Sequence, residues 1–113
     1  MAALTVQTVQ INGKLFTTAS AAGGGDTFAN NGKTILYIKN DSGGDITVTV
    51  AAQNQVTIDG NPLTLEDVPV IVSAGQEKFM GPFPTQFFNN SAGSVEITYS
   101  GVTSLSVRPV SMP

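Results

Sequence analysis

The chain has 113 residues, a formal net charge of −3 at pH 7 and only 12% charged residues. This length predicts a single domain, residues 1–113. Its five cations are scattered along the sequence, which argues against nucleic acid as a partner because phosphate binding needs clustered positive charge. The N-terminus lacks the features of a secretory signal, and no apolar run approaches the roughly 18 residues of a membrane span, so we expect no membrane partner.

The first half of the chain predicts strands separated by turns. Residues 4–13 suit a strand or an extended arm, whereas three glycines interrupt the alanine-rich segment 17–28, which we interpret as a loop. Segments 34–40 and 46–52 are rich in β-branched residues, and the turn-prone sequence NDSGGD (40–45) lies between them. This arrangement predicts a β-hairpin.

The second half shows the same pattern. Residues 54–67 predict either a long loop or an extra hairpin around Asp59-Gly60. Pro69 cannot donate to a strand ladder, so it marks a strand start or an edge. Gly81-Pro82 ends the strand that contains it. Further strands are predicted at 68–73, 77–83, 94–100 and 104–110.

These elements predict an all-β fold. Short strands with turn signals between them are typical of an antiparallel β-sandwich or barrel. No capped amphipathic segment is present, so we expect under about a tenth of the residues to be helical. The two ends, 1–10 and 108–113, suit extended arms that add a strand to a neighbour's sheet edge.

Residues that could carry chemistry are sparse. The sequence has no histidine and no cysteine, so the usual general base, thiol nucleophile and transition-metal ligands are missing. Glu66-Asp67 is the single adjacent acidic pair, and we interpret it as part of a solvated loop. The oxygens of segment 40–45 lack the calcium-loop pattern, so a turn is favoured there. We expect no enzyme activity, no catalytic residue, no metal and no cofactor.

The segment EKFMGPFPTQFFNN (77–90) gathers four of the six phenylalanines. Phe79 lies in a predicted strand, so we expect it in the core. Pro82 and Pro84 prevent a regular central strand beyond it. We therefore predict a proline-stiffened loop that presents at least one ring to another chain, with these candidate partner-binding residues: Phe83, Pro84, Phe87 and Phe88.

Three segments together resemble a known family: GGGDTFANNGKTILYIKND, AGQEKFMGPFPTQFFNN and VEITYSG. Their order and spacing resemble those of capsid decoration, or cement, proteins encoded in tailed-phage head gene clusters. The resemblance covers roughly residues 23–101, and the segment at 54–67 is longer than that pattern. It implies a jelly-roll β-sandwich without catalysis.

The resemblance also implies partners and a location. The chain would be made in the host cytoplasm and would reinforce the virion by binding the major capsid protein on the outer capsid surface, often as a homotrimer. Two alternatives stay open: a carbohydrate-binding or fibre-tip module, and another virion part such as a head–tail connector or tail-tube subunit.

Overall fold

A computed structural model describes residues 1–10, 13, 15, 17–53, 55–64 and 66–112. Its elements are twelve strands and one single-turn helix among these residues. In chain order they are β1 (Ala2–Ala3), β2 (Gln7–Thr8), β3 (Ala19–Ser20), β4 (Asp26–Ala29), β5 (Thr34–Asn40), β6 (Ile46–Val50), β7 (Gln55–Ile58), β8 (Asn61–Thr64), β9 (Val68–Val72), β10 (Glu77–Met80), α1 (Thr85–Phe88), β11 (Ser94–Tyr99) and β12 (Leu105–Ser111).

The main strands form two sheets that enclose one core. The first sheet has the order β1-β4-β11-β6-β9, and the second has the order β10-β5-β12-β2, with β3 also paired to β12. Within them, β4-β11-β6-β9 and β3-β12-β5-β10 are the two four-stranded sheets of a jelly roll. The predicted all-β, jelly-roll-like sandwich is therefore confirmed.

Alternating burial explains why these segments are strands. Every second residue of β5 and β6 is buried, as expected for strands with one face on a core. Leu36 and Ile38 of β5 meet the inward side chains of the other sheet, among them Val48, Val50 and Ile97, and all five are fully buried. The core thus lies between the two sheets.

The predicted hairpin at 34–52 is wrong, although both of its strands exist. β5 and β6 belong to different sheets, so residues 41–45 cross from one sheet to the other. The buried side chain of Asn40 fixes this crossing: its amide donates to Gly44 O and Val72 O, both at 2.8 Å, and its oxygen accepts from Ser42 N at 2.9 Å. Turn-forming residues show where the chain reverses, but they do not select the partner strand.

The interpretation of residues 17–28 as a loop is also wrong in part, because β3 and most of β4 lie within this segment. Phe28 of β4 is fully buried in the core. The glycines are confined to the turn between these strands, where Gly25 has a φ of +92° and a Cβ there would lie 2.6 Å from Ile97 O. Glycine at position 25 therefore allows its backbone to lie close to the backbone of β11.

Residues 55–64 form a hairpin, which is one of the two structures predicted for segment 54–67. β7 and β8 pair antiparallel, with Ile58 opposite Asn61. Asp59 and Gly60 both have positive φ, at 50° and 79°, as a two-residue type I′ turn requires.

The terminal segments both pair within their own chain. β1 runs parallel to β4 and β2 runs parallel to β12, while Leu4 and Val6 between them pack against the core. At the other end, β12 continues to Ser111 between β5 and the strands β2 and β3. Residues 1–8 thus close one side of the sandwich, and residues 108–111 are part of a central strand.

The described residues contain no helix of the length and hydrophobicity needed to cross a membrane.

Candidate functional site

Phe79 is not in the core, contrary to the prediction. Its neighbour Met80 pairs with Leu36 and points inward, so alternation along β10 turns Phe79 to the outer face. There Phe79 is 66% exposed, and its ring lies 5.3 Å from that of Tyr37 on β5. A large aromatic side chain is therefore accessible at the edge of the second sheet.

Phe83 takes the core position that was expected for Phe79. It is 6% exposed, and its ring lies 5.7 Å from Phe28 and 6.1 Å from Phe88. Asn30 holds the backbone here, since its amide donates to Phe83 O at 2.9 Å. In the isolated chain, therefore, almost none of the Phe83 side chain is accessible to a partner.

The other three candidate partner-binding residues keep accessible surface. Pro84 is exposed just before α1, whereas Phe87 and Phe88 are half-buried on it. Phe88 packs against the core, and Phe87 O accepts from Gln53 N at 2.9 Å. Their role in partner binding stays a prediction.

An apolar groove joins this aromatic segment to β9. It has a volume of about 320 Å³ and runs between β9, the edge strand of the first sheet, and β10, the edge strand of the second. Val68 is 41% exposed within it. We call this feature the β9–β10 groove; its lining includes Val68, Val70, Phe79, Met80, Pro82 and Phe88.

The side of the sandwich with the β9–β10 groove is less completely closed than the opposite side. Residues 1–8 cover the opposite side, where Leu4 and Val6 pack on the core. At the groove, the two sheets are bridged by Lys78, whose Nζ donates to Ile71 O at 2.6 Å. An inward-pointing lysine on an edge strand discourages indiscriminate strand pairing, yet it leaves the apolar lining accessible.

A polar recess lies beside the turn that follows α1. It is lined by neutral polar side chains and Glu96. Asn90 uses its amide to donate to Glu96 at 2.9 Å, and its oxygen accepts from Ala92 N and Ser94 N. These contacts organise the turn itself.

Acidic groups are dispersed over the part of the chain that the structure describes. Those residues include no group of three or more His, Cys, Asp or Glu side chains that could hold a metal ion. Glu66 and Asp67 are both exposed, and Asp67 Oδ1 accepts from Ala52 N at 2.9 Å. The oxygen of Asn40 accepts both hydrogen bonds offered by Ser42, so it serves the turn.

A buried carboxylate does occur, at Asp26. Its Oδ2 accepts from Tyr99 Oη at 2.6 Å and from Ala22 N at 3.2 Å, whereas the buried Oδ1 has no hydrogen-bond partner. Burial, and after it the hydrogen bond to Asp26, raises the pKa of Tyr99. The pair ties β4 to β11.

Replacing Tyr99 with Phe should lower the free energy of unfolding by about 1–3 kcal/mol near neutral pH, because Asp26 loses a donor. It should also remove a pH dependence. The folded state holds the Tyr99 proton more tightly than the unfolded state, so this stability is present below the ordinary pKa of 10.0 and falls as pH rises above it. Urea unfolding of both chains at about pH 8 and about pH 11 measures the difference. An equal loss of stability in both chains at high pH would contradict the assignment.

Comparison of the chain with models of protein families, with curated proteins and with solved structures gives no match.

The β9–β10 groove was missed because β9 and β10, although consecutive in the chain, belong to different sheets. One signal was present: VPVIVS (68–73) is apolar at successive positions rather than alternating. Such a strand places apolar side chains on both faces, and at a sheet edge some of them must meet solvent or a partner.

Proposed function

We propose that the chain is a structural virion protein that binds the outside of a phage capsid and reinforces it. The observation that carries the proposal is the β9–β10 groove, an accessible apolar surface between two edge strands. Contiguous exposed apolar surface on a small domain is typical of a site for protein contact. A structural role requires such a contact surface and does not require a catalytic site.

The low charge of the chain supports the same proposal. Charged residues make up 12% of the sequence, about half the usual share, and interface cores are depleted in charge. A small domain with a weakly charged surface is suited to permanent contact with other subunits. Self-association, most simply as a homotrimer, belongs to this proposal.

The location on a capsid rests on the three segments that resemble decoration proteins. All three lie in strands described above: 23–41 supplies β4 and β5, 74–90 includes β10 and the aromatic segment, and 95–101 supplies most of β11. Pro84 and Phe87, which lie in the chain between the groove-lining residues Pro82 and Phe88, are the residues we propose to meet the capsid protein.

Gold-labelled antibodies against the chain, applied to intact particles that encode it, test this location. We expect label over the whole capsid surface, because a reinforcing protein must be present in many copies. Particles from a deletion strain complemented with the gene provide the matched positive control, and uncomplemented particles provide the background. Label confined to one vertex would contradict the proposal in favour of a connector, and label at fibre tips would favour a receptor-binding module.

A further inference from the structure

The backbone of β10 has one open edge, on the side away from β5. Where β5 meets this part of the chain, Asn40 N donates to Gln76 O at 3.0 Å. Hydrogen bonds to one antiparallel neighbour involve alternate residues, so Glu77 and Phe79 direct their N–H and C=O groups away from β5. Because β10 is the last strand of its sheet, these four backbone groups face the open edge.

The facing edge of β9 is protected against strand pairing. Thr47 O accepts from Ser100 N on the β11 side of β6, so Ile71, which lies opposite Thr47, directs its backbone groups away from β6. The carbonyl of Ile71 is occupied by Lys78 Nζ at 2.6 Å. Pro69, two residues earlier on the same side, has no N–H to donate. Of the two edges beside the β9–β10 groove, β10 is therefore the one that can pair with a further strand.

The β9–β10 groove would receive side chains of a strand added to β10. Such a strand would lie over the groove, whose volume is about 320 Å³, and every second side chain would point into it. One of these would meet apolar surface from Met80 and Val70. Another, two residues away, would meet the Lys78 ammonium, which has three donors and gives one of them to Ile71 O. The groove therefore fits an extended segment with an apolar side chain and a hydrogen-bond acceptor at alternate positions.

The ends of this chain are already used inside its own sandwich. β1 pairs with β4 and β2 pairs with β12, while residues 108–111 belong to the central strand β12. The terminal segments that the sequence favoured as donors of a strand are therefore engaged. This argues that the added strand comes from a different protein.

We propose that an extended segment of the capsid protein adds to the second sheet as a strand beside β10. Backbone hydrogen bonds with Glu77 and Phe79 would give affinity, and the side chains that enter the β9–β10 groove would give specificity. The added strand would close the side of the sandwich that is open in the isolated chain. This inference rests on the proposed function and names the way in which the chain recognises the capsid.

Hydrogen exchange at single-residue resolution tests the added strand. The free chain is compared with the same chain bound to undecorated particles from the deletion strain. The amides of Glu77 and Phe79 should exchange at least about tenfold more slowly on the particle, because a new hydrogen bond protects each of them. Amides that already pair with β5, such as that of Lys78, provide the internal control.

Two substitutions at one position separate the backbone contact from the side-chain contact. Phe79→Val removes the ring and keeps the N–H, whereas Phe79→Pro removes both. The Phe79 N–H faces away from β5, and proline is tolerated on an edge strand, so urea unfolding should show that both variants fold. Phe79→Pro should bind the particles at least about tenfold more weakly than Phe79→Val.

Three results would overturn the added strand. Equal binding of two folded variants would exclude a backbone contact at Phe79. Unchanged exchange at Glu77 and Phe79 on a fully decorated capsid would do the same and would leave the proposed location intact. Protection that grows with concentration in the free chain would mean that a second copy occupies the edge. Absence of binding to the particles would instead contradict the proposed function itself, so the two failures are distinguishable.

Discussion

Replacing Phe83 with Ala should lower the free energy of unfolding by about 3–5 kcal/mol, the range for deleting a buried aromatic ring. Phe83 is almost fully buried and contacts the rings of Phe28 and Phe88, so truncation removes apolar contacts and leaves a cavity. Urea unfolding followed by circular dichroism measures the loss. For a marginally stable domain of this size, such a loss is a large fraction of the total.

Phe79→Ala is the matched control, because it deletes the same ring four residues earlier in the chain. Phe79 is largely exposed and contacts Tyr37, so its loss should cost about 1 kcal/mol or less. The same substitution should weaken binding to the capsid, since Phe79 lines the β9–β10 groove. If Phe79→Ala destabilised the fold more than Phe83→Ala, the alternation described for β10 would be incorrect.

Replacing Asn40 with Ala should lower the free energy of unfolding by about 3 kcal/mol, because several hydrogen-bonding groups lose their partners together. The Asn40 side chain is fully buried and makes hydrogen bonds with Gly44, Val72 and both donors of Ser42. Alanine leaves Val72 O without this donor and removes the contacts that direct the chain from one sheet to the other. Thermal and urea unfolding measure the effect.

Ser42→Ala is the matched control, because it removes one side-chain hydrogen bond of the turn and leaves the Asn40 side chain in place. The Ser42 hydroxyl donates to the Asn40 oxygen at 2.6 Å, but Ser42 keeps its backbone contact with the same atom after substitution. Its loss should therefore cost about 1 kcal/mol. Equal effects of the two substitutions would mean that Asn40 does not organise the crossing.

Local sequence patterns were sufficient to predict most of the longer strands of the sandwich. The bounds of β5 and the start of β9 follow from runs of β-branched residues with turn residues beside them. Pairing was not predictable in the same way: NDSGGD locates a reversal, but β5 pairs with β10 and with β12, and not with β6. Only the packing of both sheets on one core decides between the two arrangements.

The candidate site was predicted in part. The aromatic segment was correctly singled out, but the roles of Phe79 and Phe83 were reversed. Successive side chains of a strand face opposite sides of the sheet, so a shift of one residue exchanges the buried and exposed positions. In β10 Met80 takes the inward position beside Leu36, which leaves Phe79 outside. The groove forms because β9 and β10, which are consecutive in the chain, join different sheets. No local pattern in the sequence indicates that separation.

An electron cryomicroscopy reconstruction of the particle that encodes this chain tests the central claim most directly. The proposal predicts jelly-roll density on the outer capsid surface, repeated over the shell. A capsid exterior without such density, or this fold found only at one vertex or on a fibre, would contradict it.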